Sequence, residues 1–509
     1  MKTILLFGAG KSASVLISFL IKRASEGKIG LIVADMNREL ILAKTENSEH
    51  CEAVETDIND PVSREDLITR SDIIISMMPP ALHILIARDC LRLEKHLLTA
   101  SYADDAIRSL HEEASRKGLL FLCEMGLDPG IDHMSAMRLI RGIKDQGGSI
   151  YSFLSHCGGL VAPESDDNPW HYKISWNPRN VVLAGKAGAI YKLNGVEINE
   201  PYEQLFDASR ATLINDPEIR QLSYYPNRNS LPYISLYELD GAQTFMRTTL
   251  RHTEFMYGWK NIVDLKLTDE TPRYETSGRT LYEFYREHLE LNGFGEWLQK
   301  KLTGHFTETK ALLENLMKLM EAEEEAQLEG AEVPANIMMV DETGDIKDVE
   351  IDEIKSQAAS TVADKMHEAN LIMKQLFFLG LDDQETMINK GTCSAADVLQ
   401  FVLENKLKLE DDDRDLVVMQ HEIGYMLNDV PHNVTSTLVV KGEDSRNTAM
   451  AKTVGLPLAI SAMMLAEDKL KIRGVHVPVN SEIYDLVLPE LEREGIIFRE
   501  EFLSSDKLN

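Results

Sequence analysis

Cysteine is scarce in this chain: five residues among 509, at Cys51, Cys90, Cys123, Cys157 and Cys393. They are odd in number, scattered, and never paired as CxxC. That pattern excludes a disulfide framework and a structural zinc site, and it fits a reducing compartment, which we take to be the cytoplasm. Basic residues are also few. Fifty-three Lys and Arg against 83 Asp and Glu leave a formal charge of −30. The chain therefore lacks the cationic surplus on which phosphate-backbone binding rests, and an anionic membrane surface is disfavoured for the same reason. Long apolar runs are missing: no stretch approaches the ~18 consecutive apolar residues of a membrane helix. The opening MKTILLFGAGKS is broken by glycines and Lys11 too early for a secretory signal. Nucleic acid and membrane drop out as expected partners. There is no HExxH, GxSxG or Walker A motif, and the fourteen histidines do not pair at metal-ligand spacing, so no metal is expected.

What is present is a large, foldable chain. With 44% hydrophobic and 27% charged residues, it can bury sizeable cores in two to four domains of about 100–200 residues each. The first 130 residues alternate between short apolar runs and helical spacing. ILLF (4–7), LIVAD (31–35), IIISMM, HLLTAS and LLFLCEM read as buried strands, and SASVLISFLIKRA (12–24) reads as a helix between the first two. Near-continuous apolar strands separated by helices specify a parallel sheet covered on both faces. The fold class expected is α/β, with a Rossmann-type doubly wound parallel sheet, a second mixed α/β domain and a small helical domain.

Residues 150–260 are richer in Gly, Pro, Asn and aromatics, a texture of mixed or antiparallel strands. Residues 280–405 favour helices. Within them, Glu321 to Lys355 holds thirteen acidic and two basic residues, which we read as a solvated helix end and loop rather than a docking surface. The last hundred residues return to αβ texture. The expected division is 1–130 completed by 440–509, then 131–280 with 405–440, then a helical part over 281–404 carrying the acidic insertion at 321–355.

Gly8-Ala9-Gly10-Lys11-Ser12-Ala13 has the GxGxxA form between a strand and a helix. The first glycine permits a tight turn, the second lets backbone approach a pyrophosphate, and the small third residue lets helix and strand pack. The helix N-terminus adds free N–H groups and a positive dipole. Alone this motif is weak, but LIVAD ends at Asp35, twenty-five residues after Gly10, where a carboxylate can accept both ribose hydroxyls and repels a 2′-phosphate. Asp35 therefore favours NAD, while Arg38 leaves NADP open. In open αβ sheets ligands bind beyond the carboxyl ends of the strands. SMMPP (76–80), ASY (100–102) and GLDPGIDH (126–133) should lie there, with Asp132 capping the following helix.

GLDPGIDH, SHCGGLVAPESDDNPWHYKISW (155–176), YPNRNS (225–230), TTLRH (248–252) and TAMAKTVGLP (448–457) together resemble the L-glutamate-forming saccharopine dehydrogenases. The resemblance runs in order over 1–270 and 410–500. It is nearer to the NAD-linked half of the animal bifunctional lysine-degrading enzyme, which has an Asp-Met pair where this chain has Asp35-Met36. Fungal NADP-linked reductases have Cys-Arg there. The chain departs from the family in its enlarged section 290–400 and in Met77-Met78-Pro79-Pro80.

The resemblance implies oxidation of the secondary amine of L-saccharopine by NAD or NADP, then hydrolysis to L-glutamate and 2-aminoadipate 6-semialdehyde, in lysine metabolism and in the degradative direction. It implies substrate contacts at Ser101, Tyr102, Asp128, Arg228, Thr249, Leu250 and Arg251, with Thr249 and Leu250 acting through backbone or hydroxyl and the two arginines through their planar forks. It places the ionisable groups Asp128, Tyr102 and Cys157 near the chemistry. It implies cofactor contacts from Gly8, Ala9, Gly10, Lys11, Ser12, Asp35, Met36, Asp57, Ser76, Met77, Ala100, Ser101, Met125, Leu127, Asp128 and Ser175. A homodimer is compatible with it. Two rival readings are weighed against it: a carboxyspermidine-type dehydrogenase, whose cationic substrate would want acids where Arg228 and Arg251 stand, and a non-catalytic NAD(P) sensor.

Overall fold

The computed structural model describes residues 1–207, 210–214, 216–299, 336–340, 346–350, 368 and 370–504. They fall into two compact units. The first comprises Met1–Asp167, His171–Met256 and 407–509; the second comprises Asn168–Trp170 and Tyr257–Lys406.

The first unit holds a seven-stranded parallel sheet. Its order is Gly474–His476, Leu120–Leu122, His96–Thr99, Ile73–Ser76, Lys2–Phe7, Ile29–Asp35, Glu52–Glu55. The interior strand Lys2–Phe7 shows why the sheet is covered twice. Ile4 and Leu6 pack into one core with helices Ser14–Ser25 and Ala449–Ala466, whereas Leu5 and Phe7 pack into another with Pro61–Thr69 and Pro80–Leu93. Successive strand side chains point to opposite faces, so an unbroken apolar run needs two covers. The doubly wound α/β fold read from the sequence is the one observed. Local signals set the helix starts: Asn37 accepts the N–H of Leu40, and Asp60 accepts those of Val62 and Ser63 ahead of Pro61.

A second, ten-stranded mixed sheet completes this unit. Its main path is Ala211–Leu213, Gln221–Pro226, Thr244–Arg251, Ser149–Val161, Asp415–Leu427, Val430–Lys441 and Arg499–Ser504. Thr244–Arg251 runs parallel to Ser149–Val161, with Thr249 beside Cys157, and Asp415–Leu427 is antiparallel to that strand on its other side. One apolar core runs from Ile4 and Leu6 through helix Ile131–Asp145 to Phe153, Phe245 and Met419, which joins the two sheets.

The terminal segment 440–509 is divided. Helix Ala449–Ala466 and strand Gly474–His476 associate with the parallel sheet, but Arg499–Ser504 pairs with Val430–Lys441. Its pairing partner is a long hairpin arm with a free edge, which a further strand covers. Helix Ala449–Ala466 also has the length and hydropathy (mean 1.5) of a membrane span, although Lys452, Thr453 and Ser461 interrupt its apolar residues. It is 83% buried within the fold, as expected for a core helix.

The second unit, Asn168–Trp170 with Tyr257–Lys406, includes the stretch 281–404 expected to be helical. Its described part includes helices Leu281–Leu291 and Ala395–Lys406 and the pair Tyr274–Glu275 with Thr392–Cys393. Thr280 and Glu283 form a reciprocal capping box at the start of Leu281–Leu291. Asn336–Val340 and Ile346–Glu350 pair antiparallel, so part of the acidic section read as helix and loop is paired strand. The rest of 321–355 lies outside the described residues.

Candidate functional site

The glycine turn forms as the motif requires. Gly8 has φ +100°, and a Cβ there would sit 3.0 Å from the Met77 carbonyl oxygen. Gly10 faces open space, with nothing within 4 Å of an added Cβ. Lys11–Ala13 make a short 3-10 turn that feeds helix Ser14–Ser25. Ala9 donates its N–H to Asp35 Oδ2 (2.8 Å), and Asn37 donates to Asp35 Oδ1 (3.0 Å). The acid is thereby held at the strand end beside the turn. An open second glycine, a helix start behind it and a fixed carboxylate beside it fit a dinucleotide.

The neighbouring strand ends carry the other nucleotide-side residues. Met36 is 64% exposed. Asp57 is exposed, and its Oδ1 is occupied by the backbone and side-chain N–H groups of Asn59. Met77 donates its N–H to Phe7, and Met125 donates to Thr99; Leu127 is buried. Ser175 is buried and bonds Asp415, whose carboxylate also accepts the N–H groups of Ala449 and Met450 at the start of the long helix. The hydroxyl of Ser175 thus serves that cap.

Ser76 and Ser101 are joined by a residue that sequence reading did not single out. Buried His83 is hydrogen-bonded through Nδ1 to Ser76 Oγ and through Nε2 to Ser101 Oγ, both at 2.8 Å. Burial lowers its pKa to about 4, so the ring is neutral.

A cavity of about 190 Å³ opens beyond these strand ends. Ala100, Asp128, Cys157, Asn227, Thr249 and Arg251 are on its wall. Hollows of about 300 and 610 Å³ exist beside Phe19 and beside Asp72. They are larger, but the first lies between helices and the second at the amino ends of strands, where this fold does not place ligands.

The turn 126–130 fixes Asp128. Gly126 donates to Pro129 O, Ile131 donates to Gly126 O, and a Cβ on Gly130 (φ +146°) would lie 2.1 Å from Gly126 O. Helix Ile131–Asp145 follows at once and brings Asp132 and His133 into the interior. Asp132 does not cap that helix. Its Oδ1 accepts Gly130 N–H at 2.6 Å and its Oδ2 accepts Arg247 at 2.8 Å, because the helix starts at Ile131 with Gly130 as its cap, two residues earlier than a cap at Asp132 would need.

Arg247 is the residue that organises this cluster. It is 2% exposed, and its guanidinium donates to Asp128 Oδ1 (2.5 Å) and to Asp132 Oδ2 (2.8 Å), with Tyr102 Oη at 3.4 Å. It stacks on the Tyr233 ring at 4.3 Å. Burial raises the Asp128 pKa and Arg247 opposes that rise; Tyr102 is pushed well up by burial. Burial also raises Asp132, but His133, Arg247 and the Gly130 N–H outweigh it, so Asp132 titrates below its usual range. Arg247 was absent from the sequence reading, although alternation along TFMRTTLR places residues 247, 249 and 251 on one face of the strand.

Arg251 is 3% exposed and lies between Tyr172 (5.1 Å) and Phe255 (5.4 Å). Its Nη1 donates to the carbonyls of Leu250 (2.8 Å) and Gly159 (3.3 Å), and its buried Nε has no partner. Among the described residues it forms no ion pair. Arg228 is exposed, has φ +55°, and sits over the Tyr102 ring at 5.3 Å. The Leu250 side chain points the other way, into a core with Leu160, Leu222 and Val418, so only its backbone faces this region. Cys157 is buried, and burial with nearby Asp128 holds its thiol well above the usual range; it is protonated at neutral pH.

Fold and site define an oxidoreductase that uses a nicotinamide dinucleotide. Comparison with known proteins makes this specific: residues 4–122 match the saccharopine dehydrogenase NADP binding domain and residues 126–496 the saccharopine dehydrogenase C-terminal domain. The chain belongs to the saccharopine dehydrogenase family. It is 30% identical over 503 residues to the saccharopine dehydrogenase [NADP(+), L-glutamate-forming] of Saccharomyces cerevisiae, covering 98% of this chain and 99% of that one. It is 31% identical over 475 residues to the alpha-aminoadipic semialdehyde synthase of Arabidopsis thaliana, covering 92% of this chain but only 40% of that protein. The chain thus spans about two fifths of the plant relative. The apo yeast saccharopine dehydrogenase structure superimposes with a TM-score of 0.75 at 28% identity, covering 99% of this chain and all of that one.

Proposed function

We propose that the protein oxidises L-saccharopine to L-glutamate and L-2-aminoadipate 6-semialdehyde, in the degradative direction of lysine metabolism. The observation that carries this reading is Arg251, a buried guanidinium on the cavity wall with no carboxylate partner among the described residues. A buried charge left unpaired is costly, so its natural partner is an anionic ligand group, and saccharopine has three carboxylates. Arg228 supplies a second guanidinium beside Tyr102. A cationic polyamine substrate would meet these two arginines unfavourably.

The bound dinucleotide would accept a hydride from the carbon beside the secondary amine. Water then adds to the resulting C=N carbon, the C–N bond breaks, and the amine leaves as glutamate while the carbon becomes the aldehyde. Arg251 and Arg228 orient the substrate through its carboxylates. Asp128, with Tyr102 at 3.4 Å, faces the amine and takes or returns its proton. Cys157, protonated and buried, borders this region as a neutral neighbour.

For the cofactor, we propose a preference for NAD, supported by the Asp35 carboxylate held beside the glycine turn. The NADP names of the matched domain and of the fungal relatives weigh toward NADP. The test is direct: incubate the protein with saccharopine and either NAD or NADP, follow the absorbance of the reduced cofactor, and assay glutamate. No reduced cofactor with either would refute the reaction, and a higher kcat/KM with NADP would refute the cofactor preference.

A further inference from the structure

We infer that Arg247 is a positioning residue that clamps Oδ1 of Asp128 and keeps this carboxylate ionised, leaving Oδ2 to meet the substrate amine. The inference rests on the saccharopine reaction proposed above and names a residue for which that reading gave no role.

The geometry carries it. One guanidinium lies between two buried carboxylates, at 2.5 Å from Asp128 and 2.8 Å from Asp132. Both contacts are made by one nitrogen, Nη2, so a single NH2 group bridges the two acids, and Tyr233 stacked at 4.3 Å restricts the guanidinium plane. Asp128 Oδ1 accepts from Arg247 and Tyr102, whereas no described residue bonds Oδ2, and Asp128 is on the cavity wall.

The charges close as well. Asp128, Asp132 and Arg247 sum to −1, and a secondary ammonium arriving at Asp128 brings the cluster to zero. Without Arg247 two neighbouring acids would share a buried site, which forces one to stay protonated. A protonated Asp128 cannot accept the amine proton. The other titratable groups around Asp128 are Tyr102 after strand His96–Thr99, His133 on helix Ile131–Asp145, Cys157 on Ser149–Val161, Tyr233 and Tyr237 at helix Pro232–Leu236, and Arg251 on its own strand. Of these, His133 is already engaged with Glu124 at 2.9 Å and with Tyr237 at 2.5 Å. Arg251 bonds backbone carbonyls. Among the described residues only Arg247 donates to both acids.

The test is the pH profile of kcat/KM for saccharopine in wild type, Arg247→Met, Arg247→Lys and Tyr233→Leu, with dinucleotide affinity and melting temperature measured alongside. In Arg247→Met the acid limb should move to higher pH by about one unit or more, with dinucleotide affinity retained. Arg247→Lys should restore part of the shift, and Tyr233→Leu, which only loosens the stack, should shift the limb in the same direction by less. Should the Met variant not fold, the Lys and Leu variants decide. An acid limb that superimposes on wild type in the folded variants would assign Arg247 a purely structural role and overturn the inference, as would persistence of the limb in Asp128→Asn. A wild type that reduces neither cofactor with saccharopine overturns the function reading and this inference together, whereas an active wild type with unshifted limbs overturns this inference alone.

Discussion

Replacing Arg251 should separate substrate binding from stability, with opposite signs. This guanidinium is nearly fully buried, donates among the described residues only to the carbonyls of Leu250 and Gly159, and stacks on Tyr172 and Phe255. Methionine in its place keeps the aliphatic contacts. It gives up two charge-assisted carbonyl bonds, the second long at 3.3 Å, at about 1.5 kcal/mol each, and stacking at about 0.5–2 kcal/mol. It also removes an unpaired buried charge, whose desolvation penalty is several kcal/mol. The net expectation for Arg251→Met is a melting temperature unchanged or slightly raised.

Substrate binding should behave otherwise. Losing charge-assisted bonds to one saccharopine carboxylate costs roughly 1.5–3 kcal/mol each, about tenfold to a hundredfold in KM. Arg251→Lys keeps the charge but not the fork, and should still raise KM by about tenfold. Dinucleotide affinity should stay put in both. The assay pairs initial rates against saccharopine with differential scanning calorimetry of the free protein. A clear fall in melting temperature with an unchanged KM would refute the reasoning and make Arg251 a structural strut.

Asp35→Asn keeps an acceptor for the Ala9 N–H and removes only the charge, so the ratio of kcat/KM with NADP to that with NAD should rise by about tenfold or more; an unchanged ratio would show that Arg38 or another residue selects the cofactor. His83 and His421 are both held at about 4 by burial, so the unfolded chain takes up protons first as pH falls. Their contribution is complete above about 6.5 and is lost progressively down to about 4, roughly 3 kcal/mol each at most. Denaturant titrations should show His83→Asn with a shallower loss than wild type between those pH values. Gly130→Ala should destabilise by about 3 kcal/mol or more and abolish turnover, because a Cβ would overlap Gly126 O in a backbone region closed to alanine; a folded, active Ala variant would show that the turn can open.

The parallel sheet was readable because its strands are apolar on both faces and are punctuated by Gly8, Asp35, Ser76 and the 126–130 turn. The nucleotide residues follow from the same signal, since strand ends and the glycine turn occupy fixed places in such a sheet. The mixed sheet was readable only as texture. Its pairing of residues hundreds of positions apart, such as Cys157 with Met419, leaves no local trace. Leu250, taken from the resemblance as a backbone contact, keeps its side chain in the core behind Thr249 and Arg251. Arg247 could have been found by alternation alone. His83, by contrast, sits in an ordinary helical stretch, and its link between Ser76 and Ser101 exists only because two neighbouring strands end at the same level.

The arrangement also explains why the charged groups cluster where they do. A single octapeptide, residues 126–133, makes a turn too tight for any side chain at Gly130 and starts a helix immediately afterwards. Asp128 is thereby aimed at the cavity while Asp132 and His133 are driven inward. Two interior acids so close in the chain require an interior cation, and the mixed sheet supplies it: Arg247 stands four residues before Arg251 on the same strand face. Thr244–Arg251 therefore presents two guanidiniums with different duties, one neutralised by the protein's own carboxylates and one without such a partner. In a protein with thirty more acidic than basic residues, an arginine buried without an acid is the exception, and here it lies on the wall of the cavity at the strand ends.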